Sequence, residues 1–270
     1  MMKRISVLLL AAVMVIGMTA CGKKDDVKTG VEDGTLTVGF DAEYPPYGYM
    51  DENGEYTGFD LELAEAVCEK EGWKLEKKPI VWESKDMELN SSSIDCIWNG
   101  FTKNGREDEY NFSVSYVDNS QVIVVAENSG IAKLSDLAGK VVGVQQASAA
   151  LDVLTDEESD QKALADSFAE IKQFADYNTA FTELQAGALD ALAIDIGVAK
   201  YQLNSRGEGF AMLDEALNSE EYAIGFRKDD GGAALAEIIN KDLQELTNEG
   251  VVAELAEKYE ISDMVTLTAK

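Results

Sequence analysis

An α/β fold with open sheets is what this sequence predicts, and two features carry that prediction. Strand-like segments alternate with helical ones along most of the chain, which suits sheets covered by helices better than a sandwich or a bundle. The polar and aromatic residues also gather just past the ends of those strands, where open α/β sheets hold their ligands.

Leu36, Val38 and Phe40 alternate with Thr35, Thr37 and Gly39 and predict a first strand. It runs into Tyr44-Pro45-Pro46-Tyr47, and a hairpin-like return follows through Asp51-Glu52-Asn53-Gly54. Asp60 is then expected to cap a helix whose Leu61, Ala64, Val67 and Cys68 share a face that Glu62, Glu65 and Glu69 avoid. Pro79 to Trp82 and Ile94 to Trp98 read as short strands, separated by a polar stretch with Met87 and Leu89 at helical spacing. Further strands are expected at Gln121 to Ala126, at Val141 to Val144 after the turn at Gly139-Lys140, and at Leu189 to Ile194. Helical patterns fall at Ala149 to Leu154, at Thr179 to Ala186 with Phe181 and Leu184 inward, and at Leu235 to Leu246.

The N-terminus sets the compartment. Lys3 and Arg4 precede an apolar run from Ile5 to Ile16, which closes with Gly17, Met18, Thr19, Ala20 and Cys21. This is the pattern of a bacterial export signal, and the run is shorter than the ~20 apolar residues a spanning helix needs. Cys21 after small residues resembles a lipoprotein processing site, which makes it the lipid-bearing first residue of the mature chain. The alternative is a plain secretory leader cut near Ala20. Gly22 to Asp33, polar and without periodicity, read as a flexible tether.

Composition narrows the function. With 51 Asp and Glu against 23 Lys and Arg, the formal net charge is −28, and it becomes −30 once Lys3 and Arg4 leave with the leader. That argues against nucleic-acid or anionic-lipid partners. The chain has no His, so Ser-His and Cys-His nucleophile pairs and the commonest metal ligand are gone. No Gly-rich phosphate loop ending in Lys-Ser or Lys-Thr occurs, and no cofactor or metal is expected. Cys68 and Cys96 sit in apolar stretches and read as buried free thiols, although their spacing leaves a disulfide open.

Strand ends supply the candidate site. Asp41 with Tyr44 follows the first strand, Trp82 the second, Asn99-Gly100-Phe101-Thr102 and then Arg106 the third, and Asp195 ends the strand through Ala193. An α-amino acid needs an anion for its ammonium, a cation or free N–H groups for its carboxylate, and a wall for its side chain. Asp195, Arg106 and Trp82 are of the right kinds.

The segments Gly39-Phe40-Asp41-Ala42-Glu43-Tyr44-Pro45-Pro46-Tyr47 and Tyr56-Thr57-Gly58-Phe59-Asp60-Leu61-Glu62-Leu63-Ala64 resemble the opening of the polar amino acid binding proteins of ABC importers. The likeness continues in order through Ser93 to Thr102, Arg106, Phe112 to Tyr116, Leu134 to Val144, Gly187 to Ala191 and Gly225 to Asp230. The resemblance implies a type II periplasmic binding protein fold: two α/β lobes, two hinge crossings and a ligand in the cleft between them. The implied division is a leader at 1–20, a lipidated tether at 21–33, one lobe from 34–117 and 224–270, and the other from 118–223. The crossings are placed near Val117 to Val122 and Asn218 to Ala223.

The resemblance also assigns roles. Asp41 would lie against the ligand side chain and Trp82 would stack on it. Arg106 would grip the α-carboxylate in a bidentate pair. The Gly100 carbonyl, Thr102 and Asp195 would take the ammonium, while Ser148 and Ala149 match a turn whose N–H groups receive the carboxylate. Tyr44 is kept as a contact, and Asn99 and Gln146 are candidates for touching the side chain. Three departures bear on the details: a shorter stretch from Thr102 to Arg106, Ala147 in place of a frequent Gly, and no hydroxyl at Ala149.

The implied protein is a monomeric receptor outside the cytoplasm, held to the membrane by lipid. It would hand a free amino acid to a transmembrane permease powered by a separate ATPase subunit. The alternatives are a small-carboxylate dehydratase on the same fold, with Glu43 or Asp195 as base, and an amino acid sensory module.

Overall fold

A computed structural model describes residues 27–270; the expected leader and Cys21 lie outside the described residues. The chain begins with β1 (Thr35–Phe40), β2 (Glu43–Tyr44), β3 (Gly48–Met50), β4 (Tyr56–Thr57), α1 (Phe59–Glu71), β5 (Lys74–Pro79), α2 (Lys85–Asn90), β6 (Cys96–Ile97) and β7 (Asn111–Phe112). It continues through β8 (Val117–Ala126), β9 (Val141–Gln145), α3 (Ala149–Thr155), α4 (Lys162–Ala165), β10 (Glu170–Phe174), α5 (Tyr177–Gln185), β11 (Ala191–Asp195), α6 (Ile196–Arg206) and β12 (Phe210–Met212). It closes with β13 (Asn218–Tyr222), β14 (Gly225–Phe226), α7 (Asp230–Glu249) and α8 (Val251–Lys258).

These elements make two α/β lobes. One sheet has the order β5-β1-β6-β14-β7, the other β10-β9-β11-β8-β12, and a small β2-β3-β4 sheet includes the expected hairpin. In the first, β1 lies parallel to β5 and β6 and buries Leu36, Val38 and Phe40, as alternation requires. In the second, β9 is parallel to β10 and β11, while β8 runs antiparallel to β11. The first half of β8 pairs in antiparallel register with β13, from Val117↔Tyr222 to Gln121↔Asn218, and β14 then carries the chain back into the first sheet. The closing helices α7 and α8 pack on α1.

Several local expectations change. The strand expected at Pro79 to Trp82 lies earlier, as β5, and Trp82 instead begins a short 3-10 turn, Trp82–Ser84. A Lys-rich segment carries no strand signal of its own, but at a sheet edge its charges stay solvated while its backbone pairs with β1. β10, β12 and α6 were not foreseen. Asp60 does not cap α1, because Gly58 holds that position and Asp60 lies inside the first turn, fully buried. Its carboxylate accepts from the Gly100 N–H at 2.5 Å and from the Tyr116 hydroxyl at 2.8 Å. The end of the expected tether is docked, since Val31 is buried in the core. Cys68 and Cys96 are buried free thiols.

Burial pushes the Asp60 carboxyl up to about 7, against the lowering effect of its donors, and burial likewise raises Asp41 and Asp242 to about 6. A folded state that holds a proton more tightly than the unfolded chain is favoured at low pH, so this contribution is lost as pH rises through the raised values. Asp60→Asn keeps an acceptor for both donors and removes the charge. Its melting temperature relative to the native chain should rise from about pH 4 to about pH 8; parallel curves would remove Asp60 from the pH dependence.

Candidate functional site

Both lobes contribute to a small, partly open pocket with a free volume of about 10 Å3. Every residue expected at the site except Asp41 and Gln146 lies on its wall, joined by Gln145. The loops after β1 and β6 and the turn after β5 supply one side; the ends of β9 and β11 and the start of α3 supply the other.

On the first side, Gly100 takes φ +56°, and a Cβ there would lie 2.9 Å from Tyr222 Cε2 and 3.1 Å from Tyr44 Cε1, so the close aromatic approach requires glycine. Asn99 Oδ1 accepts from the Asp41 N–H at 2.7 Å and fixes the β1 loop. Trp82 is 9 % exposed and meets Phe101 edge-on at 5.8 Å, so one ring serves both core and pocket. The Arg106 guanidinium sits 5.0 Å from the Phe101 ring centre. Its Nη1 donates to the Thr102 carbonyl at 3.3 Å, and Nη2 crosses the cleft to Asp152 Oδ2 at 2.7 Å.

On the second side, Ser148 caps α3: its Oγ accepts from the Leu151 N–H at 3.2 Å and donates to the Gln145 carbonyl at 2.8 Å. With the hydroxyl spent on its own turn, what the turn can offer a solute is backbone N–H. Ala147, just before it, has φ +52°.

Two expectations fail to reach the pocket. Asp41 is turned aside, its Oδ1 accepting from the Glu43 N–H at 2.9 Å and its Oδ2 from Gln145 Nε2 at 2.6 Å. Gln146 is off the wall because side chains alternate at the end of β9, which puts Gln145 inward instead. Glu43 is engaged by Asn178 and lies outside the pocket as well.

The floor holds what the sequence reading missed. Asp195 Oδ1 accepts from Gln121 Nε2 and the Tyr222 hydroxyl at 2.6 Å each, and from Asn119 Nδ2 at 2.7 Å. Glu220 Oε1 accepts from the same two amides at 2.8 and 2.7 Å and from Thr102 Oγ1 at 2.8 Å. Tyr44 lies 3.3 Å from the Tyr222 oxygen, whose hydrogen goes to Asp195, so Tyr44 donates. Burial first, and Asp195 second, push the Glu220 carboxyl up. Period two offered a signal: Asn119 and Gln121 occupy buried positions of β8, and Glu220 shares a buried face of β13 with Tyr222.

A larger, open hollow of about 620 Å3 lies beside Tyr49 and Tyr201. Its Lys200 and Lys258 already pair with Asp263 and Glu62, whereas every partner of Asp195 and Glu220 is a neutral amide or hydroxyl. Two buried carboxyl groups with no basic partner among the described residues distinguish the smaller pocket from this hollow as the candidate site for a cationic group.

The family model described as bacterial extracellular solute-binding proteins, family 3, matches residues 36–262. The arginine-binding extracellular protein ArtP of Bacillus subtilis is 31% identical over 264 residues, covering 96% of this chain and 98% of its own. A substrate-binding protein of an ABC uptake transporter from Streptococcus pneumoniae, solved with bound histidine, superposes with a TM-score of 0.82 at 33% identity, covering 87% of this chain and 95% of that one. An ancestral amino acid-binding protein, AncCDT-1, described as a precursor of cyclohexadienyl dehydratase, gives 0.75 at 29% identity, covering 85% and 96%.

The positive φ at Ala147 is a strained conformation for a residue with a Cβ. Ala147→Gly should therefore raise the unfolding free energy by roughly 0.5–1 kcal/mol in a denaturant titration, the strain relief exceeding the entropy cost of glycine. A loss of stability would mean that the methyl contact with the Trp82 cluster outweighs the strain.

Proposed function

Because this chain belongs to family 3 of the bacterial extracellular solute-binding proteins, we propose that it captures a free, polar amino acid in the pocket between the lobes and delivers it to the permease of an ABC importer. The single observation that carries the reading is the buried acidic floor, which lacks a cation, facing Arg106 across one small cavity. A zwitterion satisfies both ends: its ammonium meets Asp195, Thr102 and the Gly100 carbonyl, and its carboxylate meets Arg106 and the N–H groups at Ser148 and Ala149. Trp82, Tyr44 and Asn99 bound the side chain, with Gln145 holding Asp41 beside them.

Residues 34–117 with 224–270 form one lobe in this reading and 118–223 the other, with β8 and β13 as the hinge. A ligand touching both lobes favours closure by its differential affinity, and the closed form is what the permease recognises. The protein works as a monomer, tethered outside the cytoplasm by lipid on Cys21. Dehydratase chemistry is the weaker reading. Asp195 Oδ1 already accepts three hydrogen bonds and is not free to take a substrate proton, and Glu43 is off the pocket wall.

A thermal-shift screen against the common amino acids and small dicarboxylates tests the reading. A ligand at about a hundred times its dissociation constant adds about 2.7 kcal/mol, or roughly 5–10 °C for a chain of this size. One or a few amino acids should give that shift and be recovered unchanged; turnover of a bound carboxylate would instead establish the enzyme. Arg106→Ala should weaken binding by roughly 2–5 kcal/mol, by leaving a buried carboxylate without its partner, and near-normal affinity in calorimetry would take Arg106 out of the site. Cys21→Ser should move the protein from the membrane fraction to the soluble one, and retention would point to an uncleaved helix.

A further inference from the structure

Glu220 is 5 % exposed, sits on the crossing strand β13, and does not itself reach the pocket wall. Its Oε1 collects Thr102 Oγ1, Asn119 Nδ2 and Gln121 Nε2, and its Oε2 meets Asn218 Nδ2 at 3.3 Å. The two amides that bridge it to Asp195 have their own carbonyl oxygens buried and unpartnered, so both NH2 groups are committed to the acids. The groups around Glu220 are Asp195 at the end of β11, Thr102 from the opposite lobe, Asn119 and Gln121 on β8, and Asn218 and Tyr222 on its own strand, with the Tyr177 phenol within electrostatic reach. None is basic.

Two consequences follow from this geometry. Thr102 has one hydroxyl hydrogen and gives it to Glu220, so toward the pocket it can offer only lone pairs. Tyr222 likewise gives its hydrogen to Asp195, whose Oδ2 accepts no hydrogen bond among the described residues. The floor is therefore polarised toward acceptors, with a second acid behind the first.

We infer that Glu220 is a positioning residue for the ligand's ammonium: acting through Thr102 and Asp195, it makes the pocket floor an acceptor-only anionic site that admits a protonated α-amine and rejects the same acid without one. This rests on the amino acid reading above. Burial and Asp195 favour the neutral form of Glu220, and an arriving ammonium favours the ionised form. Binding then expels a proton wherever Glu220 is partly protonated in the free protein, and affinity rises with pH through that range before levelling.

Glu220→Gln isolates the charge, because the amide oxygen can still accept from Thr102, Asn119 and Gln121. Calorimetry on the purified protein and this variant would use L-arginine, L-lysine and L-glutamine, each beside its desamino acid, from about pH 5 to about pH 8. Asp41→Asn serves as a control, since Asp41 titrates at about 6 near the other end of the pocket. The native protein should tighten on its amino acid by about tenfold across the range. The Glu220→Gln variant should bind about tenfold more weakly at the upper pH, lose most of that slope, and discriminate less against the desamino acid, while Asp41→Asn keeps the slope. A variant with unchanged slope and discrimination overturns the inference. Native protein in buffers of different ionisation enthalpy gives a readout independent of the variant's folding, and no proton release anywhere in the range also overturns it. If the native protein binds none of these amino acids at any pH, or in the broader thermal screen, the amino acid reading itself fails.

Discussion

Two carboxylates, Asp195 and Glu220, are buried together with only neutral donors between them, and the organisation of the cleft turns on that constraint. Buried charge is tolerated only with dense hydrogen bonding or a counter-ion. Here the hydrogen bonds come from both crossing strands: Asn119 and Gln121 on β8, and Tyr222 and Asn218 on β13. The pairing of those strands is thus fixed by the same groups that shape the ligand floor. Asp60 gives the opposite wall a similar foundation, holding the Gly100 N–H from beneath in a turn whose positive φ only a residue without a Cβ fits against two tyrosines.

Contacts that span the cleft differ in weight. Arg106 to Asp152 joins the lobes, but the Asp152 side chain is 61% exposed, and such pairs contribute about 0–1 kcal/mol. Gln145 to Asp41 is buried and charge-assisted, a stronger tie. It also occupies the acid that the family resemblance would have turned toward the ligand side chain, so the pocket wall there presents Gln145 rather than a free carboxylate. Relatives that bind arginine and histidine share the fold, and differences of this local kind are where their selectivities can diverge.

Much of the candidate site was legible: strand ends marked Tyr44, Trp82, Asn99, Gly100, Thr102, Arg106 and Asp195, the family resemblance added Ser148 and Ala149, and all of them line one pocket. What escaped had physical reasons. β5 is a strand by virtue of its partner, not its composition. Asp60 looked like a cap because a capping acid and a buried acid are the same letter, and only the positions of Gly100 and Tyr116 separate them. Gln145 and Gln146 are adjacent, and a one-residue shift at a strand end exchanges the faces. Glu220 depends on a pairing between segments about a hundred residues apart in sequence, which one chain's local pattern does not encode.

The most direct test of the central claim is a crystal structure of the protein with a bound amino acid. The account predicts the ammonium within hydrogen-bond distance of Asp195 and Thr102 and the carboxylate on the Arg106 guanidinium, with Glu220 still accepting from Thr102. An amino acid lodged instead in the open hollow beside Tyr49 and Tyr201, or bound in the cleft with its ammonium away from Asp195, would contradict it.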